Sequence, residues 1–245
     1  MFKNMYLVKP QTRFEQLDPN CFFSNDKKIG FNELLRYGFP EQNLINWATN
    51  NFKNPDKDFI DIGANMGSWT LTLAPHFKNT HAFECNKDTF YYLCANICLR
   101  GLSSKVDVHQ MGLGSKTGSQ TFYHRGMDGG GDGFELLGDT IDIKPEDRET
   151  ISICKLDDFN LTNVGFIKID VEGFELDVLK GATKTLEDND YPSFIFESWR
   201  ETREEGGRPA IRLRKELFEY IESINYKIVP LNGYDEIFIA NYIRT

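Results

Sequence analysis

No run in this chain is long and apolar enough to cross a bilayer, and no block of Lys or Arg offers a track for a phosphate backbone. The five cysteines, Cys21, Cys85, Cys94, Cys98 and Cys154, include no CxxC pair and no Cys/His cluster at zinc-ligand spacing. No repeat period is visible. These absences exclude a helical membrane protein, a structural zinc module and a solenoid, and they make nucleic acid a poor partner. The odd cysteine set fits free thiols in a reducing compartment. The opening MFKNMYLVKPQTRFEQ carries charge too early and too often for a secretory signal, so the expected location is the cytoplasm, with no membrane partner.

What is present favours one large folded core. The 245 residues are 40% hydrophobic and 27% charged, enough apolar surface to offset chain entropy. The formal net charge of -9 repels polyanions. Arg208, Arg212, Arg214 and Lys215 form a local basic group, expected to be the solvated face of a helix.

Residues 1–55 are aromatic and irregular, with helical patterns interrupted at Gly38 and Pro40, and are expected to cap the domain as part of the same unit. From 56 to 245 strand and helix alternate. Strands are predicted at Phe59 to Ile62, His81 to Glu84, Val106 to His109, Phe166 to Asp170 and Ser193 to Glu197, with helices at Ser68 to Phe77, Asp88 to Leu99 and Ile211 to Ser223. Phe174, Val178, Leu179, Ala182 and Leu186 share one face of a further helix. Thr117 to His124 and Thr150 to Lys155 read as extra strands around the glycine-rich GMDGGGDG, residues 126–133, a candidate mobile lid. Alternation of this kind argues for parallel βαβ units, and the closing pair, Tyr226 to Val229 and Ile237 to Ala240, argues for an antiparallel edge strand on a mostly parallel, seven-stranded α/β sheet.

Asp61-Ile62-Gly63-Ala64-Asn65-Met66-Gly67 turns the first of these strands into a helix. Glycines there let backbone amides approach a ligand, and the helix start favours an anionic group. The spacing is DxGxxxG, not the GxGxxG of a dinucleotide loop. An acid at the strand end suits a cofactor with an ammonium group, reached by Asp61 directly or through water. Glu84, about twenty residues on, can accept hydrogen bonds from ribose hydroxyls. S-adenosylmethionine has all of these features.

The segments FIDIGANMGSWTLTLA, HAFECNKDTFYYLCANICLRGL, KLDDF and FIKIDVEGFELDVLKGA resemble the FkbM family of methyltransferases over about Phe59 to Glu197. The resemblance implies a Rossmann-like class I methyltransferase fold and S-adenosylmethionine-dependent O-methyl transfer to sugar or polyketide hydroxyls. It also implies that Asp61, Gly63, Asn65 and Gly67 form the cofactor loop, that Glu84 serves the ribose and that Asp170 lies beside the methyl donor. Cys85 stands where the family commonly has proline, and Gly126 to Glu149 is longer and more glycine-rich than the pattern.

Transfer of a methyl group to an alcohol oxygen needs alignment and a base or metal for the proton. Lys168, Asp170 and Glu172 alternate at a strand end, where open α/β sheets bind ligands, and Glu197 ends the next strand. Asp170 and Glu197 can act as a base or hold a divalent cation such as Mg2+. Glu172 is either a further acid of the site or a cap for the helix beginning near Gly173. His124 is the candidate histidine base, and Trp199 and Arg200 are candidate walls of an acceptor pocket. The expected partner is a small-molecule or glycan acceptor. An RNA ribose 2′-O-methyltransferase and a cofactor-binding module without catalysis are the alternatives.

Overall fold

The computed structural model describes residues 6–8, 22–24, 41–124, 132–134, 148–199 and 210–244. The first helical pattern of the N-terminal region, Arg200, Arg208 and most of the glycine-rich segment lie outside them. The fold is the Rossmann-like methyltransferase type, with a seven-stranded, mostly parallel sheet, and the chain divides into two compact units, one ending at Gln110 and one beginning at Met111.

In the first unit, a short hairpin pairs β1 (Tyr6–Val8) with β2 (Phe22–Ser24). Helix α1 (Gln42–Phe52) precedes β3 (Asp58–Ile62), α2 (Ser68–Leu73), β4 (Thr80–Phe83), α3 (Lys87–Leu99) and β5 (Val106–His109). The three strands run parallel in the order β3-β4-β5. All five residues of β3 are buried, the signature of a parallel strand covered on both faces. The predicted helix to Phe77 stops at Leu73 and tightens into a 3-10 turn over Ala74–His76, because Pro75 has no N–H with which to continue it. Tyr92, Leu93 and Ile97 of α3 pack with Leu71 of α2 and with Ala82 and Val106 of the strands.

The second unit contains β6 (Gly112–Leu113), β7 (Gly118–Tyr123), β8 (Gly133–Phe134) and β9 (Arg148–Cys154) in a separate four-stranded sheet of order β6-β9-β7-β8. Two of its strands are too short to show in a sequence pattern. After it come β10 (Val164–Ile169), α4 (Glu175–Lys180), α5 (Thr183–Asp188), β11 (Ser193–Glu197), α6 (Ala210–Ser223), β12 (Tyr226–Pro230) and β13 (Ile237–Tyr242). β10 and β11 are parallel, and β13 lies antiparallel between β11 and β12. The closing pair thus forms the antiparallel edge of the sheet, with β13 one place in and β12 outermost.

The single helix read through Phe174 to Leu186 is two helices, broken at Gly181. A Cβ on Gly181 would lie 2.0 Å from the Gly114 carbonyl oxygen and 2.9 Å from its carbon, so backbone passes against backbone and the helix cannot run straight through. Asp157 then starts the second helix by accepting the N–H groups of Lys184 (3.1 Å) and Thr185 (2.7 Å). No helix among the described residues is long and apolar enough to cross a membrane.

Gly181→Ala is expected to destabilise the protein by about 1–3 kcal/mol or more through overpacking. Gly118→Ala, where an added Cβ meets nothing within 4 Å, should be neutral or slightly stabilising. Urea unfolding of the pair checks both, and equal midpoints would contradict the close approach at Gly181.

Candidate active site

The cofactor-loop residues sit in the first unit, between β3 and α2. The turn visits the left-handed region three times, at Gly63 (φ 75°), Asn65 (φ 50°) and Gly67 (φ 99°). Asparagine tolerates this better than most side chains because its amide bonds locally; here Asn65 Oδ1 accepts the Met66 N–H at 2.7 Å. Gly67 is required twice over, since a Cβ would also come within 2.8 Å of Leu93 Cδ1.

Every N–H of the loop from Gly63 to Gly67 has a partner. Gly63 and Ala64 donate to Phe83 O (3.0 and 2.9 Å), and Gly67 donates to Ala64 O (2.9 Å). Asn65 donates to Glu84 Oε2 (2.8 Å), and Met66 donates to Asn65 Oδ1. The loop is shaped by its own hydrogen bonds, so a bound anion would share these donors in three-centre contacts. Glu84 also accepts the Asn86 N–H on Oε1 at 2.7 Å. Each oxygen thus holds a backbone donor, which fixes the orientation of the carboxylate.

Asp61 differs from its expected role. It is completely buried, and its Oδ2 accepts the Thr70 hydroxyl at 2.6 Å. Without accessible surface it cannot touch an ammonium group directly in this state; it ties the strand end to the first turns of α2. Asn96, also completely buried, donates from Nδ2 to Met66 O at 2.9 Å and anchors the loop from α3.

The carboxylates lie in the second unit. Ile169 pairs with Phe196 across the parallel strands, so Asp170 follows β10 at the level where Glu197 ends β11. Asp170, Glu172 and Glu197 each bring a carboxylate oxygen within 4.8 Å of the others. The buried Lys168 Nζ stands 3.4 Å from Asp170 Oδ2 and supplies a positive charge. These hard oxygen donors are the groups here that could hold a divalent cation.

The helix starts at Glu175 with Phe174 at its N-cap and no side-chain cap. The backbone before it turns back through two left-handed residues, Glu172 (φ 54°) and Gly173 (φ 96°), and the carboxyl that braces this turn is Glu175. Its Oε1 accepts the N–H groups of Val171 (3.2 Å) and Gly173 (3.1 Å). Burial pushes the Glu175 carboxyl up to about 7, with the neighbouring Asp170 adding to the rise.

His124 stands apart from this group, at the end of β7. Nδ1 is 3.2 Å from Asp132 Oδ2 and Nε2 is 3.3 Å from Glu149 Oε2. These partners, the Asp132 hydrogen bond first, hold its imidazole above the usual range despite partial burial. An imidazolium donating from both nitrogens has no lone pair for a substrate proton. Trp199 is buried against Phe174 and Leu213 and lines a small cavity with Glu175, Ser198 and Arg214. Arg212 and Lys215 of the local basic group pair along α6 with Glu216 (2.6 Å) and Glu219 (3.8 Å), as a solvated helix face does.

Four positioning residues were missed in the sequence: Thr70, Asn86, Asn96 and Glu175. Asn86 and Glu175 carry local signals, a helix N-cap and an acid in a first helical turn. Thr70 and Asn96 act across the fold and have none.

A mostly parallel seven-stranded sheet whose strand β3 passes through a glycine turn into α2 is that of the Rossmann-like methyltransferase class. Residues 61–228 match the methyltransferase FkbM domain, and the chain belongs to that family. It is 30% identical over 154 residues to "Methyltransferase 1" of Beauveria bassiana (strain ARSEF 2860), covering 52% of this chain and 59% of that relative. Among solved structures, FkbM methyltransferase from Methylobacillus flagellatus KT superposes with a TM-score of 0.52 at 21% identity, over 76% of this chain and 44% of that one. The O-methyltransferase from Bacillus cereus in complex with SAH gives 0.53 at 14% identity, over 84% and 83%. The chain therefore spans well under two thirds of its curated relative and of the FkbM structure.

Asn96→Ala leaves the Met66 carbonyl without its buried donor and should cost about 1–3 kcal/mol of stability. It should also weaken cofactor binding, since the loop loses its anchor; calorimetric titration with S-adenosylhomocysteine reads the second effect, and unchanged affinity would separate Asn96 from the loop. For His124 the raised value sets the sign. Its ion pairs contribute fully below the ordinary value of 6.5 and are lost as pH rises through the higher folded value. The melting-temperature difference between wild type and His124→Gln should shrink with rising pH, and a difference that grows would contradict a doubly paired imidazolium.

Proposed function

We propose that this methyltransferase uses S-adenosylmethionine to methylate a hydroxyl oxygen, of a sugar or glycan or of a polyketide-like small molecule, in the cytoplasm. The observation that carries the reading is the convergence of Asp170, Glu172 and Glu197 within 4.8 Å beyond the carboxyl ends of β10 and β11, where ligands bind in this fold class. The net charge of -9 and the paired cations of α6 favour an uncharged acceptor over RNA. The free state of Cys85, Cys94, Cys98 and Cys154 fits a reducing compartment.

The first unit supplies the binding groups: the 63–67 turn for the methionine end and Glu84 for the ribose hydroxyls. S-adenosylmethionine, when bound, provides a methyl group on a sulfonium, which is electrophilic without further activation. On transfer of that methyl to the acceptor oxygen, Asp170 or Glu197 would take the hydroxyl proton. Lys168, 3.4 Å from Asp170 Oδ2, limits the mutual repulsion of the three carboxylates. A divalent cation held by Asp170 and Glu197 is the second route, for which the oxygen donors are suited.

S-adenosylmethionine or S-adenosylhomocysteine should raise the melting temperature and NAD should not; stabilisation by NAD alone would sink the assignment. Glu84→Ala should weaken binding, each charge-assisted hydrogen bond being worth about 1.5–3 kcal/mol. A screen of glycans and small hydroxylated acceptors with labelled S-adenosylmethionine, with and without magnesium, identifies the acceptor. On it, Asp170→Asn and Glu197→Gln should each cut turnover by about 10²-fold or more, and chelation should abolish turnover only if the cation route operates. Wild-type rates in both variants would make the carboxylates structural. Cofactor binding without turnover on any acceptor would favour a binding module.

A further inference from the structure

Glu175 is a buried carboxyl at the start of α4. It is 4% exposed, and burying a carboxylate costs several kcal/mol unless its lone pairs are used. Here they are used on backbone: one oxygen accepts Val171 N–H at 3.2 Å and Gly173 N–H at 3.1 Å. Those two donors bracket Glu172, which carries a left-handed φ of 54° and is followed by Gly173 at 96°. A non-glycine residue in that region stores strain and persists only where its surroundings over-determine it. Without the turn, the alternation of an extended strand would continue past Ile169. With it, the chain reverses and Glu172 joins Asp170 and Glu197 in one group.

We propose that Glu175 is the positioning residue of the carboxylate group: by accepting two N–H donors from the Asp170–Gly173 turn, it holds Asp170 and Glu172 at the separation from Glu197 at which the acceptor proton is handled. The inference rests on the reading of these carboxylates as the proton-handling groups. Glu175 does not take the proton; its carboxyl is engaged by the backbone N–H groups of the turn. Packing agrees with the assignment. Phe174, between the turn and Glu175, packs on Trp199 and on Phe134 at 4.9 Å, which restrains the turn from swinging away as a unit.

The test compares Glu175→Gln with Glu175→Leu. Glutamine keeps an acceptor oxygen of the same reach, whereas leucine fills the space and accepts nothing. Leucine should lower kcat on the acceptor by about 10²-fold, the scale of a small misplacement of reacting groups, while S-adenosylhomocysteine affinity stays at the wild-type value. Glutamine should restore most of that kcat. A folded leucine variant with wild-type kcat, or a glutamine variant as impaired as leucine, would overturn the proposal. Amide hydrogen exchange needs no acceptor and reads the clamp itself. Val171 and Gly173 should be protected in wild type and in Glu175→Gln, and rapid exchange at both in wild type would overturn the proposal even if the leucine variant failed to fold. If Asp170→Asn and Glu197→Gln leave turnover intact, the proton-handling reading fails, whereas the exchange data still report whether Glu175 holds the turn.

Discussion

A glutamate carboxylate accepting backbone N–H groups shapes the ligand loop in each unit, and most of the local geometry follows from those hydrogen bonds. Glu84 takes Asn65 on one oxygen and Asn86 on the other, joining the glycine turn after β3 to the start of α3. Glu175 takes Val171 and Gly173 on a single oxygen. Charge-assisted bonds of this kind are stronger than neutral ones, and low accessibility shields them from water. Both stand just beyond strand ends, where the backbone leaves its ladder and its donors need new partners.

The same device accounts for strained residues. Asn65 and Glu172 both lie in left-handed backbone, and each is adjacent to or bracketed by an N–H held by a glutamate. The strain is local, and the glutamates and packing residues that maintain it are buried. Such pre-organisation suits methyl transfer, in which the protein's contribution is largely alignment of donor, acceptor and base.

Buried polar side chains do comparable work elsewhere. Thr70 on Asp61 and Asn96 on Met66 fix the turn from its two flanking helices, and Asp157 starts α5 where Gly181 has broken the preceding helix. His124 belongs to this structural set as well: clamped between Asp132 and Glu149, it joins the loop residue Asp132 to β9 rather than presenting a basic nitrogen.

Much of this was legible in the sequence because it depends on local pattern. The buried runs of β3 and β10, the DxGxxxG turn and Glu84 at the next strand end follow from periodicity and glycine placement, and those features carried the fold class and the family. Parallel register made the neighbourhood of Asp170 and Glu197 an inference from strand ends alone. Tertiary structure decided the rest. Gly181 breaks a helix only because Gly114 passes against it, and β6 and β8 exist only because longer strands offer them a partner. Asp61 is fully buried and takes the Thr70 hydroxyl across a turn. Glu175 braces the turn before its own helix because the backbone reverses its hand at Glu172 and Gly173. A sequence records which residues alternate along an element, whereas a hydrogen bond between distant elements depends on packing that no local period encodes.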